Sequence, residues 1–119
     1  MTEAAEEKYA DERSLDASEV LALPGGTRAF RVDWGRLGRA RWTLPLINVA
    51  GVVPDTLVFA SVGEGRLLGD TTAGKFIGDA PLTVQNVATP DRGKIDVRVF
   101  VDFDSPIVIQ VDYLVVPRF

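Results

Sequence analysis

Arg98 and Asp112 are charged residues inside two otherwise apolar runs, "KIDVRVFV" and "PIVIQVDYLVV", separated by Asp104-Ser105-Pro106. An ion pair there would be either part of a working site or a cross-strand pair on a solvated sheet face. With a three-residue loop, Val97, Val99, Val101 and Phe103 oppose Tyr113, Val111, Ile109 and Ile107, so one face is wholly apolar as a buried face requires. Arg98 then falls opposite Asp112 on the other face, a pair contributing about 1 kcal/mol or less. The expectation is a hairpin with a solvated ion pair, not a catalytic site.

Asp102, Asp104 and Ser105 offer hard oxygen ligands of the kind calcium takes, but the segment lacks the ligand number and the turn glycine of familiar calcium loops. A solvated turn is the expected role. Asp70, Asp79, Asp102 and Asp104 are the carboxylates near loops, and a glycosidase would need two of them across a cleft; no pattern pairs them. "VGEGRLLGDTTAGKFIG" clusters glycines as phosphate loops do. Its "GDTTAGKF" nevertheless lacks the hydroxyl residue after Gly-Lys and a following helix pattern, so it reads as a flexible contact loop. "DWGRLGRARW" sets Arg36, Arg39 and Arg41 between Trp34 and Trp42, a combination suited to sugar or carboxylate recognition. Trp42 is expected in the core; Trp34 is open between core and platform.

What is missing restricts the chemistry further. The chain has no His and no Cys, which excludes Ser-His and Cys-His nucleophiles, thiolate metal sites and disulfides. No enzyme activity and no cofactor are expected. Net charge is −4, with no basic footprint, so no nucleic-acid partner is expected. The acidic start "MTEAAEEKYADERSL" is no signal peptide, and no apolar run reaches the ~20 residues of a membrane helix. Synthesis in the cytoplasm without a signal peptide, and no membrane partner, are the expectations.

The 119 residues, 46% hydrophobic, divide into an acidic N-terminal arm, residues 1–26, and a β-sandwich domain, residues 27–119. The arm reads as a mobile segment or a short helix capped at Ser14 or Asp16, and Pro24-Gly25-Gly26 closes it. Beyond it, "RAFRVDW" alternates Phe30, Val32 and Trp34 against Ala29 and Arg31. "ARWTLPLINVAGV" contains Pro45, which calls for an edge or a bulge. "TLVFASV" is a continuous apolar run suited to a buried strand. "TPDRG" predicts a hairpin turn with Gly93 left-handed, and "TVQNV" fits one face only with a bulge near Asn86 and Val87. The fold class predicted is all-β, an antiparallel sandwich of about six to seven strands.

From Pro54 onward, "PDTLVFASV", a loop and "LTVQNVATPDRGKIDVRVFVDFDSPIVIQVDYLVV" resemble in order and spacing the H-type lectin domain, a six-stranded sandwich. The resemblance covers a little over half the chain. It implies a homotrimer that binds N-acetylgalactosamine-type sugars near the subunit boundary, through a loop similar in position to Asp102, Phe103, Asp104 and Ser105. The family's Trp, polar ring neighbour and Arg have no counterparts at those places. Candidate ligand-binding residues are therefore those four together with Trp34 and Arg36.

Two function classes follow. One is a non-catalytic homo-oligomeric structural, decoration or attachment component of a phage-type virion, with a capsid or tail protein as partner. The other is a freestanding lectin-like protein with a glycan partner. The last strand is apolar on both sides, with Val108, Leu114 and Val116 opposite the core set, which predicts self-association.

Overall fold

The computed structural model describes residues 6–15, 20–71 and 74–117, and the expected Asp16 cap lies outside them. Ten strands form two packed sheets: β1 Glu7–Tyr9, β2 Arg13–Ser14, β3 Leu21–Ala22, β4 Arg28–Leu37, β5 Ala40–Ile47, β6 Leu57–Gly65, β7 Lys75–Phe76, β8 Leu82–Ala88, β9 Ile95–Val101 and β10 Ile107–Val116. Sheet A runs β1-β5-β9-β8, with β2 also on β5, and sheet B runs β3-β4-β10-β6-β7. The molecule is the β-sandwich its alternation predicts.

The core lies between the two inner faces. Sheet A contributes Leu44, Leu46, Ile95, Val97, Val99 and Val101, and sheet B contributes Phe30, Trp34, Ile109, Val111, Tyr113 and Val115, all buried. Phe30 and Tyr113 stack across β4 and β10 with ring centroids 4.9 Å apart, within the range favoured by offset aromatic pairs. The period-2 alternation of β4, β9 and β10 is the reason these residues face inward together.

The expected β9–β10 hairpin is corrected. β9 pairs with β5 and β8, whereas β10 pairs with β4 and β6, so the Asp104-Ser105-Pro106 turn carries the chain from one sheet to the other. The two inward sets were assigned to the right face. They meet across the sandwich instead of side by side, and Arg98 and Asp112 end on opposite outer faces. The turn at "TPDRG" does join a true hairpin, β8 to β9, with Gly93 at φ +73°. A register shift between Val84 and Asn86, beside the expected Asn86-Val87 position, is the bulge that gives "TVQNV" one face.

Two further expectations change. "TLVFASV" is half-exposed: in β6 only Val58, Ala60 and Val62 pack against the core, while Leu57 and Phe59 face water. The arm's described residues form three short strands and a 3-10 turn at Pro24–Gly26 in place of the expected α-helix. β1 and β2 run parallel along β5, and β3 is antiparallel to β4, so the arm borders both sheets and its Ser14 is a strand residue. Ala10 N–H donates to Thr43 O and Leu15 N–H to Ile47 O. Pro45, midway between Thr43 and Ile47, turns its donorless nitrogen to this same edge, where β1 has ended and β2 has not begun. The Pro45 edge position read from the sequence is thereby explained.

Candidate functional site

Of the residues predicted as a ligand site, Trp34 is buried away from the others, while Arg36 lies toward the end of the sandwich that holds the crossover. Trp34 is 3% exposed; its indole N–H donates to Tyr113 Oη at 3.1 Å and Arg13 covers its ring at 5.6 Å. It is a core residue and no sugar platform. Trp42, expected in the core, is half-buried, donates to Gly38 O at 2.8 Å and carries Lys8 over its ring at 5.5 Å. Arg36 is exposed on β4. The registers Ala40–Val101 and Leu37–Ile107 bring the β4–β5 turn and the Asp102-Phe103-Asp104-Ser105 crossover to one end of the sandwich. There Asp102 pairs with Arg39 at 3.2 Å, Phe103 turns in against the core, and Asp104 and Ser105 are exposed. Among the described residues no group of His, Cys, Asp or Glu side chains is gathered as a metal site.

The surface that does converge is the outer face of sheet B, built in three tiers. In the first tier Gln110 is fully buried beneath the loop after β6 and donates to Asp70 O at 3.0 Å. The loop is tied down further where Gly69 N–H and Gly35 N–H donate to the two oxygens of Asp33, at 2.6 and 2.7 Å. A side chain at Gly65 would strike Gln110, since a Cβ there would lie 2.7 Å from it. Glycine at 65 is what lets Gln110 lie flat.

The second tier is ionic. Arg31 grips Asp112 through Nε–Oδ1 at 2.6 Å and Nη2–Oδ2 at 3.1 Å, and Nη1 donates to Thr71 O at 3.2 Å. Lys75 Nζ reaches the same carboxylate at 2.9 Å and also donates to Ser61 O at 3.3 Å. Burial would push the Asp112 carboxyl up, but the bonds to Arg31 and Lys75 outweigh it and hold the carboxyl below its ordinary range. Arg31 is raised by the same bond to Asp112.

The third tier is bare. Registers Leu21–Ala29, Ala29–Leu114 and Leu114–Phe59 place four apolar residues in one row across β3, β4, β10 and β6. Leu21 is 60% exposed, Phe59 58% and Leu114 38%, with Leu57 beside the row at 44%. Shallow depressions of about 450 and 340 Å³ lie between this row and the ionic tier. The second apolar set of β10 was legible in the sequence at Leu114. Phe59 and Leu57 were missed because a continuous apolar run does not reveal which residues point out.

The outer face of sheet A is polar. Tyr9, Thr43, Arg98 and Asn86 follow one another in register across β1, β5, β9 and β8, around a recess of about 260 Å³ that Asp96 also lines. Arg98 donates to Glu7 Oε1 and Thr43 Oγ1, each at 3.3 Å. Asp96 Oδ1 is buried and, among the described residues, accepts no hydrogen bond. No family model, no curated protein and no solved structure matches this chain.

Proposed function

We propose that the protein is a non-catalytic, homo-oligomeric β-sandwich acting as a structural or attachment component of a larger particle. The observation that carries this reading is the bare row Leu21, Ala29, Leu114 and Phe59, which a lone chain leaves in water. Contiguous exposed apolar area of this kind marks contact surfaces, and closed symmetry between copies is the usual way to cover it. The absence of His and Cys supports the non-catalytic part. So does the engagement of the acidic groups in structure: Asp112 with Arg31 and Lys75, Asp33 with backbone amides, Asp102 with Arg39. The particle proposed is a phage-type virion, with a capsid or tail protein as partner, and co-purification with such particles is its test. For self-association, light scattering at micromolar concentration should give a multiple of the chain mass. Changing Phe59 and Leu114 together to Ser should lower that mass. A single-chain mass for the unaltered protein refutes the reading.

A second reading, a carbohydrate-binding protein, is favoured by the sheet A recess. There an exposed Tyr9 ring and the Arg98 and Asn86 side-chain donors line one recess, a combination that suits hydroxyl-rich ligands. Glycan-array binding that is lost in Asn86→Ala would favour this reading, and an array without signal would remove it.

A further inference from the structure

Among the described residues, one stretch of sheet edge has no hydrogen-bonded strand partner. β7 pairs with β6 at Glu64 and Gly65, so β6 from Leu57 to Gly63 is hydrogen-bonded to a strand on one side alone, with β8 of sheet A packed close against it. Backbone alternation identifies the free groups. Leu23 N–H donates to Thr27 O, so Thr27, Ala29 and Arg31 turn their backbone groups toward β3, and Phe30 turns toward β10. Carried through the registers Phe30–Tyr113 and Leu114–Phe59, this assigns Leu57, Phe59 and Ser61 to β10. The amides and carbonyls of Val58, Ala60 and Val62 face away from it.

The other edges carry features that discourage pairing. β8 is broken by its bulge between Val84 and Asn86. β1 and β2 lie in the charged stretch "EEKYADERS", and β3 is two residues long with Pro24 close behind. The β6 edge has none of these: "LVFASVG" contains no charge and no proline. It is also bordered on its outer side by the exposed Phe59 and Leu57.

We propose that β6 pairs antiparallel with β6 of a second copy about a two-fold axis at Ala60, joining two B sheets into one. In this register Ala60 meets the partner's Ala60, and Val58 meets the partner's Val62. The free amides and carbonyls then satisfy one another, as an isologous contact requires. Phe59 lies beside the partner's Ser61 on the outer face, so the apolar row of each subunit abuts the partner's Ser61 and the partner's Asp112, and the two Phe59 rings are diagonal neighbours across the seam. A second copy suits this edge because the run is uncharged throughout, and antiparallel self-pairing brings no like charges together.

This inference rests on the homo-oligomeric reading and adds to it a contact at the sheet edge, which leaves Leu21, Ala29 and Leu114 on the open outer face. Ala60→Pro removes a donor that faces the free edge and leaves the bonds to β10 intact. Light scattering with circular dichroism on the full chain should give a two-chain mass for the protein and a single-chain, still β-rich species for Ala60→Pro. Independently, Phe59→Cys with Ser61→Cys in this cysteine-free chain should oxidise to a covalent dimer, because a non-hydrogen-bonded pair sets opposing residues within disulfide reach. Ser61→Cys alone should not cross-link. If Ala60→Pro fails to fold, the cysteine pair decides. A folded Ala60→Pro of unchanged mass, or a double cysteine variant that stays uncross-linked, overturns the edge pairing. A three-chain mass unaffected by Ala60→Pro removes only this inference, whereas a single-chain mass for the unaltered protein removes the homo-oligomeric reading as well.

Discussion

Asp112 answers two cations with one carboxylate, and its effect on stability has a definite sign. Its folded pKa is depressed by Arg31 and Lys75 against the pull of burial. The stabilisation is therefore present above the unfolded Asp value of about 3.9 and is lost as pH falls through the lower folded value. Because 38% of the side chain remains in water, the effect should not exceed about 1 kcal/mol. Denaturant melts between neutral pH and pH 3 should show Asp112→Asn less acid-sensitive than the parent. A double-mutant cycle should find coupling of up to about 1 kcal/mol between Arg31 and Asp112 and none between Arg98 and Asp112. Coupling in the second pair would contradict their placement on opposite faces. Deeper in, Tyr113 Oη accepts the Trp34 indole proton, and burial pushes the phenol pKa well above its ordinary value. Tyr113→Phe leaves that buried N–H unanswered and should cost about 1–3 kcal/mol in a urea melt.

At the scale of strands, side-chain direction and strand partner are separate pieces of information. Alternation alone marked the inward residues of β4, β9 and β10, because a slip of one would bury charge. It could not say that β9 and β10 belong to different sheets, since a three-residue turn at Asp104-Ser105-Pro106 serves a hairpin and a crossover equally. The bulge was legible only as one option near Asn86 and Val87, because "TVQNV" fits either face without one; the shift falls at Gln85. The bare row was not, because Leu21, Ala29, Phe59 and Leu114 become neighbours only through long-range pairing of four strands. The loop over sheet B offers a test at this scale. Gly65→Ala drives a Cβ into the Gln110 side chain, and the displaced amide gives up its bond to Asp70 O. A loss of about 1–3 kcal/mol is expected by denaturation, as for other overpacked sites; a neutral result would mean that the loop moves aside freely.

Across the whole molecule, the arm touches both sheets and covers part of each tryptophan, with Arg13 over Trp34 and Lys8 over Trp42. Leu15 and Val20 pack against the core from the same segment. Deleting residues 1–23 should leave the six long strands folded, since all their mutual pairings lie beyond residue 27. The deletion should also lower the melting temperature and shift tryptophan emission to the red. Emission that does not move would show that the arm shields neither ring. The arm's described residues do not roof the apolar row: Leu21 extends it at the β3 edge.

In sheet B, β10 sits between β4 and β6 and pairs with both, whereas β4 and β6 do not pair with each other. During synthesis, neither early strand can acquire its long-strand partner until residues 107–116 have left the ribosome. Until then β4 and β6 have only the two-residue strands β3 and β7 to pair with, and the local pairing between long strands is β8 with β9. Closure over such sequence separations belongs to the slow end of folding. A ribosome stalled before Ile107 would hold a chain in which sheet A can assemble without its opposing layer. Protease challenge of stalled chains should therefore show protection arriving in one late step, after Val116 has emerged, rather than strand by strand.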